Sequence, residues 1–160
     1  MDAVNTYQVF DWLWTSGQLS ENDIARLHKE GFTTIINLAL PTSSNALKGE
    51  AELVANVQMN YFNIPVEWEL PEVEQFELCA KLLSDLHECG HKVWLHCAIN
   101  MRVSAFVYLY RKLVLKHAEN EAVHPMVNIW TPNPLWQEFI EEVVARYKPK
   151  PYDHETHKLH

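Results

Sequence analysis

The stretch Val93-Trp94-Leu95-His96-Cys97-Ala98-Ile99-Asn100-Met101-Arg102-Val103-Ser104-Ala105-Phe106 constrains the fold more than any other part of the chain. Lys92 to His96 is short and apolar, as a central parallel strand is, and Ser104 to about His117 reads as a helix with few polar positions. A strand and a helix that both need covering imply a mainly parallel central sheet flanked by helices, an α/β fold. Between them stands Cys97, at a strand end and ahead of a helix N-terminus. There, backbone N–H groups and the positive end of the helix dipole stabilise both a thiolate and a bound anion.

The rest of the chain alternates in the same way, without an internal repeat. Ser20-Glu21-Asn22-Asp23 is a capping-box-like start for a helix over about 21–30, and Gly31 suits the position just past its end. Phe32 to Leu40 reads as a buried strand, and Pro41 to Leu47 as a loop. Lys48 to Val57 then reads as a helix and Asn60 to Ile64 as a strand stopped by Pro65. Pro71 to Cys89 carries Pro in its first turn, apolar residues at helical spacing and Gly90 beyond its end. Asn133-Pro134 starts a last helix that runs to about Tyr147, while His124 to Pro132 has no clear pattern. Right-handed crossovers place ligand sites beyond the carboxyl ends of parallel strands, which singles out the loops after Ile64 and after His96.

Length and composition fit one domain over residues 1–148 with a polar tail at 149–160, since 160 residues with 48% hydrophobic content suffice for a sizeable core. The net charge of -8 argues against nucleic-acid binding and against an anionic membrane surface. Neither a membrane-spanning stretch nor a secretory signal is evident, so a soluble cytoplasmic protein is expected. Cys79, Cys89 and Cys97 show neither a disulfide framework nor a zinc-type spacing, and Cys79 and Cys89 read as helix packing residues. Trp12, Trp14, Trp94, Trp130 and Trp136 sit in apolar patterns and read as core or edge-covering residues. The tail residues His154, His157 and His160 read as part of a disordered end rather than as a metal site.

A thiol that attacks a phosphate ester needs a lowered pKa, donors for the phosphoryl oxygens, a fixed cation and an acid for the leaving oxygen. Cys97 is the candidate nucleophile, and the backbone N–H groups of Ala98, Ile99, Asn100, Met101, Arg102 and Val103 are the candidate phosphate cradle. Arg102 is the only nearby guanidinium, His96 is placed to orient the loop from behind, and Ser104 to hydrogen-bond Cys97.

These residues carry a resemblance. His96-Cys97 with Arg102 and Ser104 resembles the phosphate-binding loop of the protein tyrosine and dual-specificity phosphatases, His-Cys-x-x-Gly-x-x-Arg-Ser/Thr. Thr15-Ser16-Gly17-Gln18, Thr34-Ile35-Ile36-Asn37-Leu38 and Ile64-Pro65-Val66 fit a small bacterial branch of that superfamily, over roughly residues 12–118. The resemblance implies a cysteine-phosphatase-like fold, a Cys97 phosphoryl intermediate, a phosphate or phosphorylated substrate, and neither metal nor other cofactor. It also implies a leaving-group acid about thirty residues before the Cys, a place filled by Glu67, with Glu69 as second choice and Trp68 between them as a pocket wall or aryl contact.

Two departures are specific. Asn100 stands at the family's Gly position and Val103 at its Arg position, so Arg102 comes one residue early although the loop keeps its length to Ser104. Asn tolerates left-handed backbone best after Gly. One residue in a helix-bound loop turns a side chain by about a hundred degrees. Three functions stay open: a phosphate monoesterase acting through Cys97, a catalytically impaired phosphate- or phosphoprotein-binding relative that Val103→Arg would help restore, and sulfur transfer at the same thiol. The sequence sets neither the physiological substrate nor the oligomeric state.

Overall fold

Four-residue strands alternate with helices in the computed structural model, which describes residues 1–148. Strands β1 (Tyr7–Phe10) and β2 (Leu13–Ser16) form an antiparallel hairpin. They are followed by α1 (Glu21–Lys29), β3 (Thr34–Asn37), α2 (Glu50–Asn56), β4 (Asn60–Asn63), α3 (Val73–Glu88) and β5 (Val93–His96). Then come α4 (Met101–Leu109) with a π-helical turn over Tyr110–Val114, the one-turn helices α5 (Glu119–Ala122) and α6 (Met126–Ile129), and α7 (Pro134–Arg146). Residues 149–160, with the tail histidines at 154, 157 and 160, lie outside the described residues.

The five strands form one sheet in the order β1-β2-β5-β3-β4, parallel except for the β1 edge. All of β3 and β5 is buried, as expected of central strands covered on both faces. Side chains alternate between two cores. Leu13, Ile36, Val93 and Leu95 point to the larger one, with α3, α4 and α7; Ile35 and Trp94 point to the other, with α1 and α2. Trp94 also donates its indole N–H to Ser16 Oγ at 2.8 Å, tying β5 to the end of β2.

Sequence expectation and structure differ at four places, each for a local reason. The β1–β2 hairpin is not read from the sequence because its strands are short and its turn, Asp11-Trp12, lacks a glycine. The strand expected over 32–40 is only β3; Leu38 still bonds His96 O and Val66 N, and the chain turns away at Ala39, whose N–H goes to the Asn37 side chain at 2.8 Å. The helix after Cys97 starts at Met101 rather than Ser104, because left-handed Asn100 (φ 70°) caps it. It also leaves the α form at Leu109 for the π turn, where Leu115 N donates to Tyr110 O. By contrast, Ser20 and Asp23 form the expected capping box of α1, and Asn133 caps α7 with Pro134 in the first turn.

Of the cysteines, Cys79 is a core residue whose thiol burial pushes up to about 12, whereas Cys89 is exposed at the end of α3 instead of packed. Trp94 and Trp136 are core residues, and Trp12, Trp14 and Trp130 cover edges. No helix among the described residues is long and apolar enough to cross a membrane.

Candidate functional site

The thiol loop begins where β5 ends, and Cys97 is 1% exposed there. Because a trans peptide sets C=O and N–H on opposite sides, the direction of each carbonyl fixes that of the next residue's amide. Every carbonyl from Cys97 to Met101 has a partner, from the preceding His96, from outside the loop or from one turn on. His96 Nδ1 lies 3.1 Å from Cys97 O; Gln18 N (3.0 Å) and the Asn45 side chain (3.1 Å) donate to Ala98 O, and the Asn5 side chain donates to Ile99 O at 2.9 Å. Ser104 supplies the last two, with its amide on Asn100 O (3.0 Å) and its hydroxyl on Met101 O (2.8 Å). The amides of Ala98, Ile99, Asn100, Met101, Arg102 and Val103 are left without an acceptor among the described residues. Six consecutive free N–H groups at the N-terminus of a nine-residue helix suit an anion.

Asn100 adopts the left-handed backbone expected of it and does more than tolerate it. Its amide group donates to Asn5 O at 2.7 Å and to Thr15 Oγ1 at 3.1 Å. Ser104 differs from expectation. Its hydroxyl is committed to Met101 O and accepts the Trp130 indole N–H at 2.9 Å, so it does not bond Cys97.

His96 stands behind the loop as expected, and it brings a residue that the sequence does not announce. Its Nε2 lies 2.8 Å from Glu50 Oε2, and both side chains are buried. Both ring nitrogens therefore face oxygen atoms. Glu50 Oε1 accepts from the Gln18 side chain. Burial alone would raise the Glu50 pKa, but the hydrogen bond and charge of His96, helped by Gln18 and Tyr61, outweigh it and hold the carboxyl below its ordinary value. The Tyr61 phenol, raised chiefly by burial, receives the Asn37 amide at 3.1 Å. Glu50 and Tyr61 line a cavity of about 490 Å³ between the 41–49 loop and the ends of β3 and β4. Glu50 is the first residue of α2, forty-six positions from His96, and no motif marks it.

The loop after β4 is fastened along its backbone. Gln75 donates to Pro65 O (2.9 Å), Arg102 Nη1 to Val66 O (2.8 Å), Leu70 N to Glu67 O (3.2 Å) and the Trp136 indole to Trp68 O (2.9 Å). Glu67 and Glu69 extend from this fixed backbone as exposed side chains. Trp68, partly exposed, packs its ring on Trp130 and Trp136 at centroid separations of 5.4 and 5.6 Å. Arg102 therefore joins the two loops that the sequence singles out. It is 7% exposed, yet Asn100 Oδ1 is the only buried side-chain polar atom without a partner among the described residues, so the Arg102 nitrogens not bound to Val66 touch solvent.

Val103 is fully buried in the same core cluster as Cys97. Val103→Arg would therefore put a guanidinium into apolar packing rather than restore one to the cradle. The expected loss is at least about 3 kcal/mol of stability, read by chemical denaturation, with no gain in anion binding. No cluster of three or more His, Cys, Asp or Glu residues among the described residues is arranged to hold a metal ion.

Comparison with known proteins gives a consistent result. A family model described as a DSP-PTPase phosphatase fused to NAD+ kinase matches residues 3–138. Two crystal structures of a putative phosphatase (DUF442) from Shewanella putrefaciens CN-32 are similar at 31% and 30% identity, with TM-scores of 0.78 and 0.76. They align over 91% and 92% of this chain and 95% and 93% of theirs. PTPMT1 in complex with PI(5)P is similar at 15% identity and TM-score 0.71, over 88% of this chain and 97% of its own. TpbA from P. aeruginosa in complex with pTyr is similar at 14% identity and TM-score 0.63, over 89% of this chain and 82% of its own. At those identities the last two show a shared fold. No functionally curated protein matches the chain.

Proposed function

The chain belongs to the DSP-PTPase phosphatase family and carries its fold, and from that premise we propose that it hydrolyses phosphate monoesters through a Cys97 phosphoryl intermediate. The observation that carries this reading is the row of six amides, 98 to 103, that follow Cys97 at the head of α4 and have no acceptor among the described residues. Oriented donors that need no reorganisation are the largest single contribution to stabilising charge that develops on a phosphoryl group.

In the proposed cycle the Cys97 thiolate attacks phosphorus. The S–P bond forms as the ester P–O bond breaks, and the acid of the 65–70 loop, Glu67, gives its proton to the leaving oxygen. Glu67 then takes a proton from water as that water attacks phosphorus. The S–P bond breaks, and inorganic phosphate and the thiolate are released. Arg102 spends one N–H on Val66 O and offers the remaining solvent-facing donors to the phosphoryl oxygens. One guanidinium thus links phosphate binding to the placement of the acid loop.

The test is turnover of an aryl phosphate by the purified protein. Arg102→Met is expected to lower kcat/KM on the order of a hundredfold; an unchanged value would remove Arg102 from the mechanism. One observation favours a second reading, binding without turnover: Val103 fills the family's Arg position and lies in the core. That reading predicts phosphate protection of Cys97 from alkylation with no ester hydrolysis. A phosphorylated small molecule or protein is the proposed ligand under either reading.

A further inference from the structure

We infer that residues 2–5 form a strap that aims the anion cradle, with Asn5 and Asn100 as reciprocal positioning residues. The inference rests on the reading of residues 98–103 as a phosphate cradle and assigns part of that cradle's geometry to a segment outside it. The two asparagines are ninety-five positions apart, and both hold left-handed backbone, φ 51° and 70°. Each uses its side-chain amide on the other's neighbourhood. Asn5 Nδ2 donates to Ile99 O at 2.9 Å, and Asn100 Nδ2 donates to Asn5 O at 2.7 Å.

Peptide geometry turns this latch into a statement about the cradle. Ile99 O and the Asn100 N–H belong to one trans peptide and point in opposite directions. Holding Ile99 O outward toward Asn5 therefore aims the Asn100 N–H inward. A glycine at position 100 would meet the backbone requirement as well as Asn does, but it would leave Asn5 O without its 2.7 Å donor. The Asn side chain thus exchanges backbone freedom for an anchor.

The strap is itself tied down. Asp23 accepts the amides of Asp2 (2.7 Å) and Ala3 (3.0 Å), and Ser20 Oγ donates to Asp2 Oδ2 at 2.6 Å. Gly17 N donates to Val4 O at 2.8 Å. A Cβ on Gly17 would lie 2.8 Å from both Ala98 O and a Val4 methyl, so the strap, residue 17 and the thiol loop are in close contact there. Asn5 sits at the end of this anchored run, where its side chain reaches the loop.

The experiment uses the full chain and inorganic phosphate, with affinity measured by calorimetry and by protection of Cys97 from iodoacetamide. Asn5→Gly keeps the left-handed backbone and deletes only the donor; its phosphate affinity is expected to fall about fivefold. Asn100→Gly is expected to fall similarly, and the double variant no further than the weaker single one, because the pair acts as one latch. A purely structural role would lower the midpoint of thermal unfolding and leave the affinity of the folded protein unchanged. Wild-type affinity in Asn5→Gly, or additive losses in the double variant, would overturn the strap. Failure of the wild-type protein to bind phosphate at all would instead overturn the cradle reading and the strap with it.

Discussion

Cys97→Ser is expected to reduce aryl phosphate turnover by a factor on the order of ten thousand or more while leaving the fold and phosphate affinity nearly intact. Serine is slightly smaller than cysteine and keeps a small polar atom at a site that is 1% exposed, so little packing is disturbed. The cradle amides belong to the backbone and to the carbonyl contacts of Gln18, Asn45, Asn5 and Ser104, none of which involves the sulfur. The proposed chemistry, however, depends on a thiolate, which a hydroxyl in the same place does not provide at neutral pH. Loss of a nucleophile that acts as part of a unit removes almost all of the unit's rate enhancement. Turnover and phosphate binding measured on the same sample separate the two effects. A serine variant that hydrolyses the ester at an appreciable fraction of the wild-type rate would place the nucleophile elsewhere.

Glu50→Ala is expected to destabilise the protein by about 3 kcal/mol, because it strips a buried imidazole of its carboxylate partner and leaves two donors facing a void. The affected donors are His96 Nε2 and the Gln18 amide. Since Gln18 N also holds Ala98 O and His96 Nδ1 faces Cys97 O, the damage reaches the cradle, and phosphate affinity falls along with stability. The dependence on pH has a definite sign. The folded-state pKa of Glu50 is lowered, so its contribution is fully present above the ordinary carboxylate pKa and is lost as pH falls through the folded value. Glu50→Gln therefore flattens the acid limb of the stability curve, which denaturant titrations across the acid range measure. An unaltered acid limb would show that the His96 contact carries no linked stability.

The sheet and its two helical layers were legible because they rest on local pattern. Residues such as Ile35, Ile36, Val93 and Leu95 are apolar on both faces of short strands, and Ser20 and Asn133 mark helix starts by side-chain capping that any reader of sequence can recognise. The start of α4 was not legible, because its cap is a left-handed Asn100 with no side-chain cap bond, and the loop leaves its amides free. Spacing singled out His96, Cys97, Arg102 and the loop carrying Glu67 as candidates. It did not identify Glu50, Asn5 or Asn45, whose contacts with the site span forty-six to ninety-four positions and follow from how the sheet folds back on itself. Spacing also left the direction of Arg102 open, because that direction is set by Val66 O on another strand's loop. Ser104 shows the converse: the family position is occupied, but Met101 O and the Trp130 indole determine where the hydroxyl points.

Rapid acid quenching reports whether a phosphoryl group passes to Cys97. The protein is mixed with an aryl phosphate, quenched within the first turnover and digested, and the peptide holding Cys97 is examined by mass spectrometry. A phosphoryl adduct on Cys97 is expected to appear with the first equivalent of released phenol and to be absent from Cys97→Ser. Release of phenol with no adduct on that peptide at any quench time would contradict a Cys97 phosphoryl intermediate.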